Sequence, residues 1–290
     1  MKISRIGEVK CRLGEGPVWD VQEQALYFVD VRGKTLWRHD PSSGAFRRWE
    51  LPLQVGSFAL RQGGGALLAL EDGFYSFDFD TGATELVALA PGEGEKTILN
   101  DGKADPRGRF LAGGCVRSLA DPDPCAALHS LAPDGTVTRL DQHISVANGP
   151  CWSPDGKTFY FTDSMPRAIY AYDYDLDTGA VANRRVFADT TGATGVPDGA
   201  TVDADGNYWV AMCMGGRIVC YSPAGVILRS IDVPAAWVSS VMFGGPGLDQ
   251  LYFTSIDPAV LDRPSTDSDG GLYVIEDLGA VGLPEHRFAG

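Results

Sequence analysis

Oxygen-bearing side chains recur at one position of a repeated strand pattern in this sequence. The aligned residues are Glu15, Ser57, Asn100, Asn148, Asp198 and Ser239. Two of them are carboxylates and two are carboxamides. Such a set suits hard divalent cations such as Ca²⁺, Mg²⁺ or Mn²⁺, and Zn²⁺ or Fe²⁺ can occupy an oxygen site with open positions. The pattern therefore predicts a site for one divalent metal ion.

The clearest copy of the pattern is Val196-Pro197-Asp198-Gly199, which places a carboxylate on a turn at the mouth of a strand. The competing interpretation is structural, because Asp-Gly and Asn-Gly are common turn formers and each alone is more typical of a turn than of a ligand. Glu15 fits that interpretation poorly, because Glu is a poor turn residue and here stands between two glycines. The shared position favours a metal site over coincident turns.

The elements that must position these residues are short strands in hairpins. Strand-like runs rich in Tyr, Phe, Val and Thr alternate with turn dipeptides, and no long stretch keeps a helical period. The plain hairpin turns are expected at Asp134-Gly135, Asp155-Gly156 and Asp205-Gly206. The runs form roughly six units with a period of about 40–50 residues, which is the range of propeller blades.

The chain is therefore predicted to be all-β, a six-bladed β-propeller of four-stranded antiparallel blades that forms a single domain over residues 1–290. In a propeller the first strand of each blade lines the central channel, so equivalent residues at one strand end should converge on the axis. Residues 1–9 are expected to supply an edge strand that pairs near residues 287–289, because closure removes exposed sheet edges.

Composition excludes several classes of function. The net charge of −14 argues against a nucleic-acid partner, which requires a clustered cationic surface, and it also repels anionic membranes. The first ten residues contain no apolar signal-peptide core, and no apolar run is long enough to span a bilayer. A cytoplasmic protein without a membrane partner is expected.

Cysteine and histidine usage narrows the chemistry further. The six cysteines show no C-x-x-C spacing, and a chain of 290 residues does not need disulfide staples, so free thiols in a reducing compartment are expected. The four histidines are scattered and never stand at ligand spacing. A histidine-rich metal site or a Ser-His-Asp triad is therefore not expected.

Several motifs in a fixed order resemble those of the regucalcin and gluconolactonase family of six-bladed propeller lactonases. They include Gly14-Glu15-Gly16-Pro17-Val18-Trp19, Asn100-Asp101-Gly102-Lys103-Ala104-Asp105-Pro106-Arg107-Gly108-Arg109-Phe110, Asn148-Gly149-Pro150 and Pro197-Asp198-Gly199. The resemblance runs from Gly14 to the C-terminus. It implies that Glu15, Asn148 and Asp198 are metal ligands, that Asn100 contacts the substrate or a water on the metal, and that Asp198 is also the general base.

One departure from the family concerns the substrate. Members of the family commonly carry an Arg two residues before the Asn that Asn100 matches, where it reaches the sugar, and this chain has Ile98 there. Arg117 lies one strand further along the same predicted blade and is a candidate replacement. The alternative is that Arg117 is a solvated loop cation. Trp19, Trp152 and Trp209 could frame a sugar, but their strand positions favour packing between blades.

The predicted function is metal-dependent hydrolysis of a sugar lactone to the aldonic acid. The reaction needs a Lewis acid on the ester carbonyl and a base for the attacking water, and a metal with Asp198 meets both needs without a histidine or serine nucleophile. Two other functions stay open: a noncatalytic Ca²⁺-binding or regulatory propeller, and a broader esterase on the same scaffold. The partner is expected to be a small lactone, and the protein to be a monomer or a weak homo-oligomer.

Overall fold

The computed structural model describes residues 1–118 and 123–290 and contains six four-stranded antiparallel sheets. These sheets confirm the predicted fold class, a six-bladed β-propeller of four-stranded blades. The one helical element among the described residues is a four-residue 3₁₀ turn, η1 (Pro258–Leu261). In the described part of the chain, no helix has the length and apolar character needed to cross a membrane.

Contacts divide the chain into two compact units. Unit 1 comprises residues 1–50 and 192–285, and unit 2 comprises residues 51–191 and 286–290. Unit 1 holds blade 1, with β2 (Gly14–Asp20), β3 (Ala25–Asp30), β4 (Thr35–Asp40) and β5 (Ala45–Glu50). It also holds blade 5, with β18 (Val196–Val202), β19 (Tyr208–Cys213), β20 (Arg217–Tyr221) and β21 (Ile227–Asp232). Its third blade is blade 6, with β1 (Lys2–Arg5), β22 (Val238–Gly244), β23 (Gln250–Ser255) and β24 (Tyr273–Glu276).

Unit 2 holds the other three blades. They are blade 2 with β6 (Val55–Leu60), β7 (Ala66–Leu70), β8 (Gly73–Phe77) and β9 (Thr84–Leu89); blade 3 with β10 (Thr97–Ala104), β11 (Phe110–Val116), β12 (Ala126–Leu131) and β13 (Val137–Ile144); and blade 4 with β14 (Ala147–Trp152), β15 (Thr158–Asp163), β16 (Ala168–Tyr174) and β17 (Val181–Asp189). In five blades the strands follow chain order, so each blade is a run of hairpins.

Blade 6 is the exception, because its fourth strand comes from the other end of the chain. β1 pairs with β24 in antiparallel register, from Lys2 opposite Glu276 to Arg5 opposite Tyr273. The prediction of an N-terminal edge strand is confirmed, but its expected partner at residues 287–289 is wrong. That segment instead meets blades 2 and 3: Phe288 bonds to the Leu60 carbonyl, and Ala289 bonds to the Gly108 carbonyl.

The predicted hairpin turns and packing roles are largely confirmed. Asp134, Asp155 and Asp205 lie between consecutive strands, and each is followed by a glycine with positive φ. Trp19 stacks on Tyr252 at 5.5 Å, and Trp209 meets Phe243 edge-on at 5.8 Å, so both tryptophans pack between blades of unit 1. The aromatic partners of Trp152, Phe159 and Tyr174, belong to its own blade, and the three lie in a core cluster that also contains residues of blade 3. All six cysteines are free.

A buried carboxylate joins blades 3 and 4 through the predicted family motif. The Asp105 side chain is fully buried. It accepts hydrogen bonds from Arg109 Nε at 2.7 Å and from the Tyr174 hydroxyl at 2.6 Å. Arg109 also donates to the backbone carbonyls of Leu176 and Asp177, at 2.5 and 3.1 Å. Burial, followed by the nearby Asp105 charge, raises the pKa of Tyr174, which keeps this phenol a hydrogen-bond donor.

Replacement of Asp105 by Ala is expected to destabilise the protein by about 3–5 kcal/mol, because it leaves the Arg109 guanidinium buried without its counter-charge. The measurement is the urea midpoint of unfolding. Asp177→Ala is the matched control, since its side chain pairs with Arg107 at the surface and is 87 % exposed. Exposed pairs contribute little to stability. Equal midpoints for the two variants would contradict the assignment.

Candidate functional site

The six aligned positions share a structural feature, which is an interruption of the ladder between the first and second strands of each blade. The interruptions fall between Glu15 and Val18, Val55 and Ser57, Leu99 and Gly102, Asn148 and Cys151, Pro197 and Ala200, and Val238 and Ser240. Each aligned residue lies inside its interruption or at its edge. Bulges of this kind re-aim side chains and are over-represented next to active sites.

In unit 1, the carboxylates of Glu15 and Asp198 both raise the pKa of one thiol, that of Cys213. Both carboxylates are buried, with residue exposures of 7 % and 8 %. Cys213 lies at the end of β19, opposite Val196 in the strand register. Burial raises the pKa of the Cys213 thiol, and the negative charges of Asp198 and Glu15 and a hydrogen bond with Asp198 raise it further. The thiol therefore stays protonated beside two acidic side chains.

Strand β22 of blade 6 contacts the residues next to both acids, through Ser239 and Ser240. Gly199 follows Asp198, and a Cβ added there would lie 2.1 Å from Ser240 Oγ and 2.8 Å from Ser240 Cα. Only glycine therefore allows β18 to approach β22 this closely. The Ser239 hydroxyl donates to the Gly14 carbonyl, directly before Glu15, and it also lies 2.9 Å from Thr254 Oγ1.

In unit 2, Asn148 and Asn100 contact each other. Asn148 is 4 % exposed, and its Nδ2 donates to the Ser164 hydroxyl at 2.9 Å. Asn100 Nδ2 donates to the Ala147 carbonyl at 2.8 Å and to Asn148 Oδ1 at 3.2 Å. These bonds fix both amide orientations. An amide oxygen has two lone pairs, so Asn148 Oδ1 keeps one for a further ligand, and Asn100 presents its Oδ1 as an acceptor.

Sequence reasoning missed the roles of three residues in these clusters. Asp101 is buried, and it accepts from Gly102 N and from Gly149 N, both at 2.8 Å, so it holds the peptide that follows Asn148. Ser164 follows β15 and holds the Asn148 amide. Cys213 gave no motif. Extending the predicted Asp198 hairpin by two residues would have placed it beside Val196.

Ser57 and Ser239 are the two hydroxyl members of the aligned set, and each forms a hydrogen bond to a neighbouring blade. Ser57 Oγ donates to the Asn100 carbonyl at 2.7 Å, as Ser239 Oγ does to the carbonyl before Glu15. Each serine therefore holds the first strand of the following blade, and that strand carries one of the predicted site residues. Asp163, the neighbour of Ser164, accepts from the backbone N–H groups of Ser145 and Val146, so its role is structural.

The predicted substrate-binding residues lie at one end of blade 3. Ile98 stands opposite Cys115 near the start of β10. Arg117 follows β11 by one residue, and its guanidinium donates from Nη2 to Glu71 Oε2 at 2.7 Å and to the Gly94 carbonyl at 2.9 Å. Two contacts therefore fix the Arg117 side chain at the end of β11, the strand that pairs with the Asn100 strand, β10.

The donor set of Glu15, Asn148 and Asp198 suits a divalent metal ion. It consists of oxygen atoms only, which hard divalent cations prefer, and two of its three members are buried carboxylates. Among residues 1–118 and 123–290, no three His, Cys, Asp or Glu side chains are grouped to hold a metal ion. The Cys213 thiol therefore does not complete a ligand group with Glu15 and Asp198. The third member of the predicted set is an asparagine, which lies outside that residue class.

A family model described as SMP-30/gluconolactonase/LRE-like region matches residues 13–257. The chain belongs to the SMP-30/gluconolactonase family. Its relatives in the family include the pentonolactonase XacC of Haloferax volcanii, with 36 % identity over 99 % of this chain and 98 % of that protein. Regucalcin of Xenopus laevis is 33 % identical over 100 % of this chain and 99 % of the relative.

Solved structures of the family agree with the fold. The structure of a calcium-binding protein, regucalcin, from Agrobacterium tumefaciens superposes with a TM-score of 0.90 at 28 % identity, covering 98 % of this chain and 96 % of that one. The family resemblance and the fold expected from the repeated pattern are therefore both confirmed.

Proposed function

We propose that this protein is a metal-dependent hydrolase that opens the ester ring of a sugar lactone to the aldonic acid. Membership of the SMP-30/gluconolactonase family and the 36 % identity to a pentonolactonase support sugar-lactone hydrolysis as the reaction. The observation that supports the finer proposal is the burial of two carboxylates, Glu15 and Asp198, whose charges both act on the Cys213 thiol.

Glu15, Asn148 and Asp198 would hold one divalent cation, with Ca²⁺, Zn²⁺, Mn²⁺, Mg²⁺ and Fe²⁺ as the candidates. Bound there, the cation would supply a Lewis acid that polarises the ester carbonyl. The Asn148 amide is suited to its part, since Ser164 and Asn100 fix the orientation of its oxygen. The carboxylates of Glu15 and Asp198 supply the negative charge.

Asp198 is proposed to act as the general base. As a water oxygen attacks the lactone carbonyl carbon, Asp198 takes up one of its protons. The bond between that carbon and the ring oxygen then breaks, and the ring oxygen becomes a hydroxyl when it is protonated. Burial of Asp198 excludes bulk water from the base and strengthens its electrostatic interactions.

Substrate positioning is assigned to the residues at the end of blade 3. Asn100 Oδ1 is an acceptor for a substrate hydroxyl, because its Nδ2 is bonded to Ala147 and Asn148. Ile98 contributes an apolar side chain where other family members supply a guanidinium. Arg117 is the proposed replacement cation.

A panel of substrates tests the reaction class. Five- and six-carbon aldonolactones and aryl esters are incubated with the protein, each with and without a chelator, and acid release is followed in a pH-stat. We expect turnover of aldonolactones well above that of aryl esters, and its loss with the chelator. Faster turnover of aryl esters would favour the broader esterase.

A noncatalytic calcium-binding function is the second candidate, because relatives of the chain are described as regucalcin and, in one solved structure, as a calcium-binding protein. The same panel separates it from the lactonase. Binding of Ca²⁺ without turnover of any aldonolactone, under every added metal, would favour this candidate and overturn the proposed hydrolase.

A further inference from the structure

An ion pair of unit 2, Arg117 with Glu71, lies beside the strand that carries Asn100. Arg117 Nη2 is 2.7 Å from Glu71 Oε2, and the two side chains are 36 % and 16 % exposed. Both residues are also tied to the approach and start of β10 by backbone bonds: Arg117 N donates to the Lys96 carbonyl at 2.9 Å, and Leu99 N donates to the Glu71 carbonyl at 3.3 Å. The pair is therefore within a few residues of Asn100 along a shared ladder.

Glu71 is held in place from its other side. Its Oε1 accepts from the backbone nitrogen of Gln54 and from Gln54 Nε2, both at 3.3 Å. Partial burial opposes ionisation of Glu71, but the hydrogen bonds from Arg117 and Gln54 outweigh it and lower the pKa of this carboxyl. Glu71 is thus an oriented, ionised carboxylate.

The guanidinium has unused donors. Both hydrogens of Arg117 Nη2 are directed to oxygens, one to Glu71 and one to the Gly94 carbonyl. A guanidinium carries five N–H groups in a rigid fork. Among residues 1–118 and 123–290, the N–H groups on Nε and Nη1 have no hydrogen-bond acceptor. The pair presents donors and carboxylate acceptor sites side by side on a partly exposed surface.

We propose that Arg117 and Glu71 form a specificity subsite that binds two neighbouring hydroxyls of the polyhydroxy part of the substrate. A vicinal diol matches the pair, because one hydroxyl oxygen accepts from the guanidinium while the other hydroxyl donates to the carboxylate. The proposal rests on the proposed lactonase function for the nature of the substrate. It adds Glu71 as a recognition residue and hydroxyl recognition as its chemistry.

An acidic lactone, which would bring a carboxylate to Arg117, fits the pair less well. Glu71, at 2.7 Å, already balances the charge of Arg117. The carboxylate of an acidic lactone would therefore be repelled by the ionised Glu71 without gaining an unpaired positive charge. The chain also carries a net charge of −14, which disfavours an anionic substrate.

Steady-state kinetics of Arg117→Ala and Glu71→Gln test the subsite. Substrates are a neutral aldonolactone, an unsubstituted δ-lactone without hydroxyls, and an aldarolactone with a free carboxylate. We expect each substitution to raise KM for the aldonolactone about tenfold, the effect of losing a hydrogen bond to a charged group, with a smaller change in kcat. KM for the unsubstituted lactone should not change. Arg107→Ala is the matched control, because Arg107 forms an exposed pair with Asp177.

Equilibrium binding of a non-hydrolysable cyclic polyol, 1,5-anhydroglucitol, to the same variants separates this inference from the proposed reaction. We expect weaker binding in Arg117→Ala and Glu71→Gln, whether or not the protein turns over lactones. Unchanged polyol binding and unchanged aldonolactone KM would overturn the subsite, even with lactonase activity intact. A larger loss for the aldarolactone than for the aldonolactone would also overturn it, because it would indicate carboxylate recognition.

Discussion

Asp198→Asn is expected to reduce kcat for an aldonolactone by about 10²–10⁴, the usual contribution of a positioned general base. The amide keeps an oxygen donor and nearly the same volume, but it cannot take up a proton from water. The fold should survive, because the substitution keeps the size of the side chain and Asp198 lies within the ladder interruption of β18. The measurement is the initial rate of acid release at saturating substrate.

Asp205→Asn is the matched control for this experiment. Asp205 lies in the turn between β18 and β19, is exposed, and stands in the same hairpin as Asp198. It should keep full activity. Circular dichroism and the melting temperature of both variants check the fold. Asp198→Asn with the activity of the unmodified protein would remove Asp198 from the mechanism.

Removal of divalent cations is expected to abolish lactone hydrolysis and also to lower the melting temperature. The second effect follows from the proposed ligand set, because Glu15, Asn148 and Asp198 are far apart in the sequence and the unfolded chain does not offer them to one cation. A cation that binds only the folded state stabilises it by about 2.7 kcal/mol at a concentration one hundred times its Kd. Calorimetric melting with and without chelator measures this change independently of activity.

Local pattern was sufficient for the strands, the hairpins and the aligned positions. The turn at Asp155-Gly156 and the strands on either side of it are specified by neighbouring residues, since glycine accepts the positive φ that the turn requires. The recurrence of Glu15, Asn148 and Asp198 at one position of the repeat was likewise visible, because blades repeat one local plan. The expected turn before each strand was wrong, since all three residues lie within the first strands of their blades.

Pairings between distant segments could not be predicted from local pattern. The partner of β1 is β24, more than 260 residues away in the chain, and the closing segment at Phe288 bonds to blade 2 instead. Neither pairing leaves a sequence signal, because any exposed strand edge could have served. Period and turn residues predict that an edge strand is needed, but they do not identify its partner.

The contacts that support the site residues could not be predicted from local pattern either, because they join different blades. Asp101 binds Gly149 N across two blades, and Arg117 pairs with Glu71 from the preceding blade. The first contact depends on where the bulge in β10 directs Asp101, because a bulge shifts the alternation of a strand by one residue. The second joins residues that follow β7 and β11, which local pattern does not relate. Cys213 is a further case, since only the strand register brings it beside Asp198.

The most direct test of the central claim is a calorimetric titration of the chelated protein with Mn²⁺, Zn²⁺ or Ca²⁺, with lactonase activity followed at each point. The comparison is Glu15→Gln, with Glu23→Gln as control because Glu23 pairs with Arg38 at the surface. We predict one cation per chain, activity that rises with occupancy, and loss of both in Glu15→Gln alone. Full activity in the metal-free protein, or unchanged metal binding by Glu15→Gln, would contradict the account.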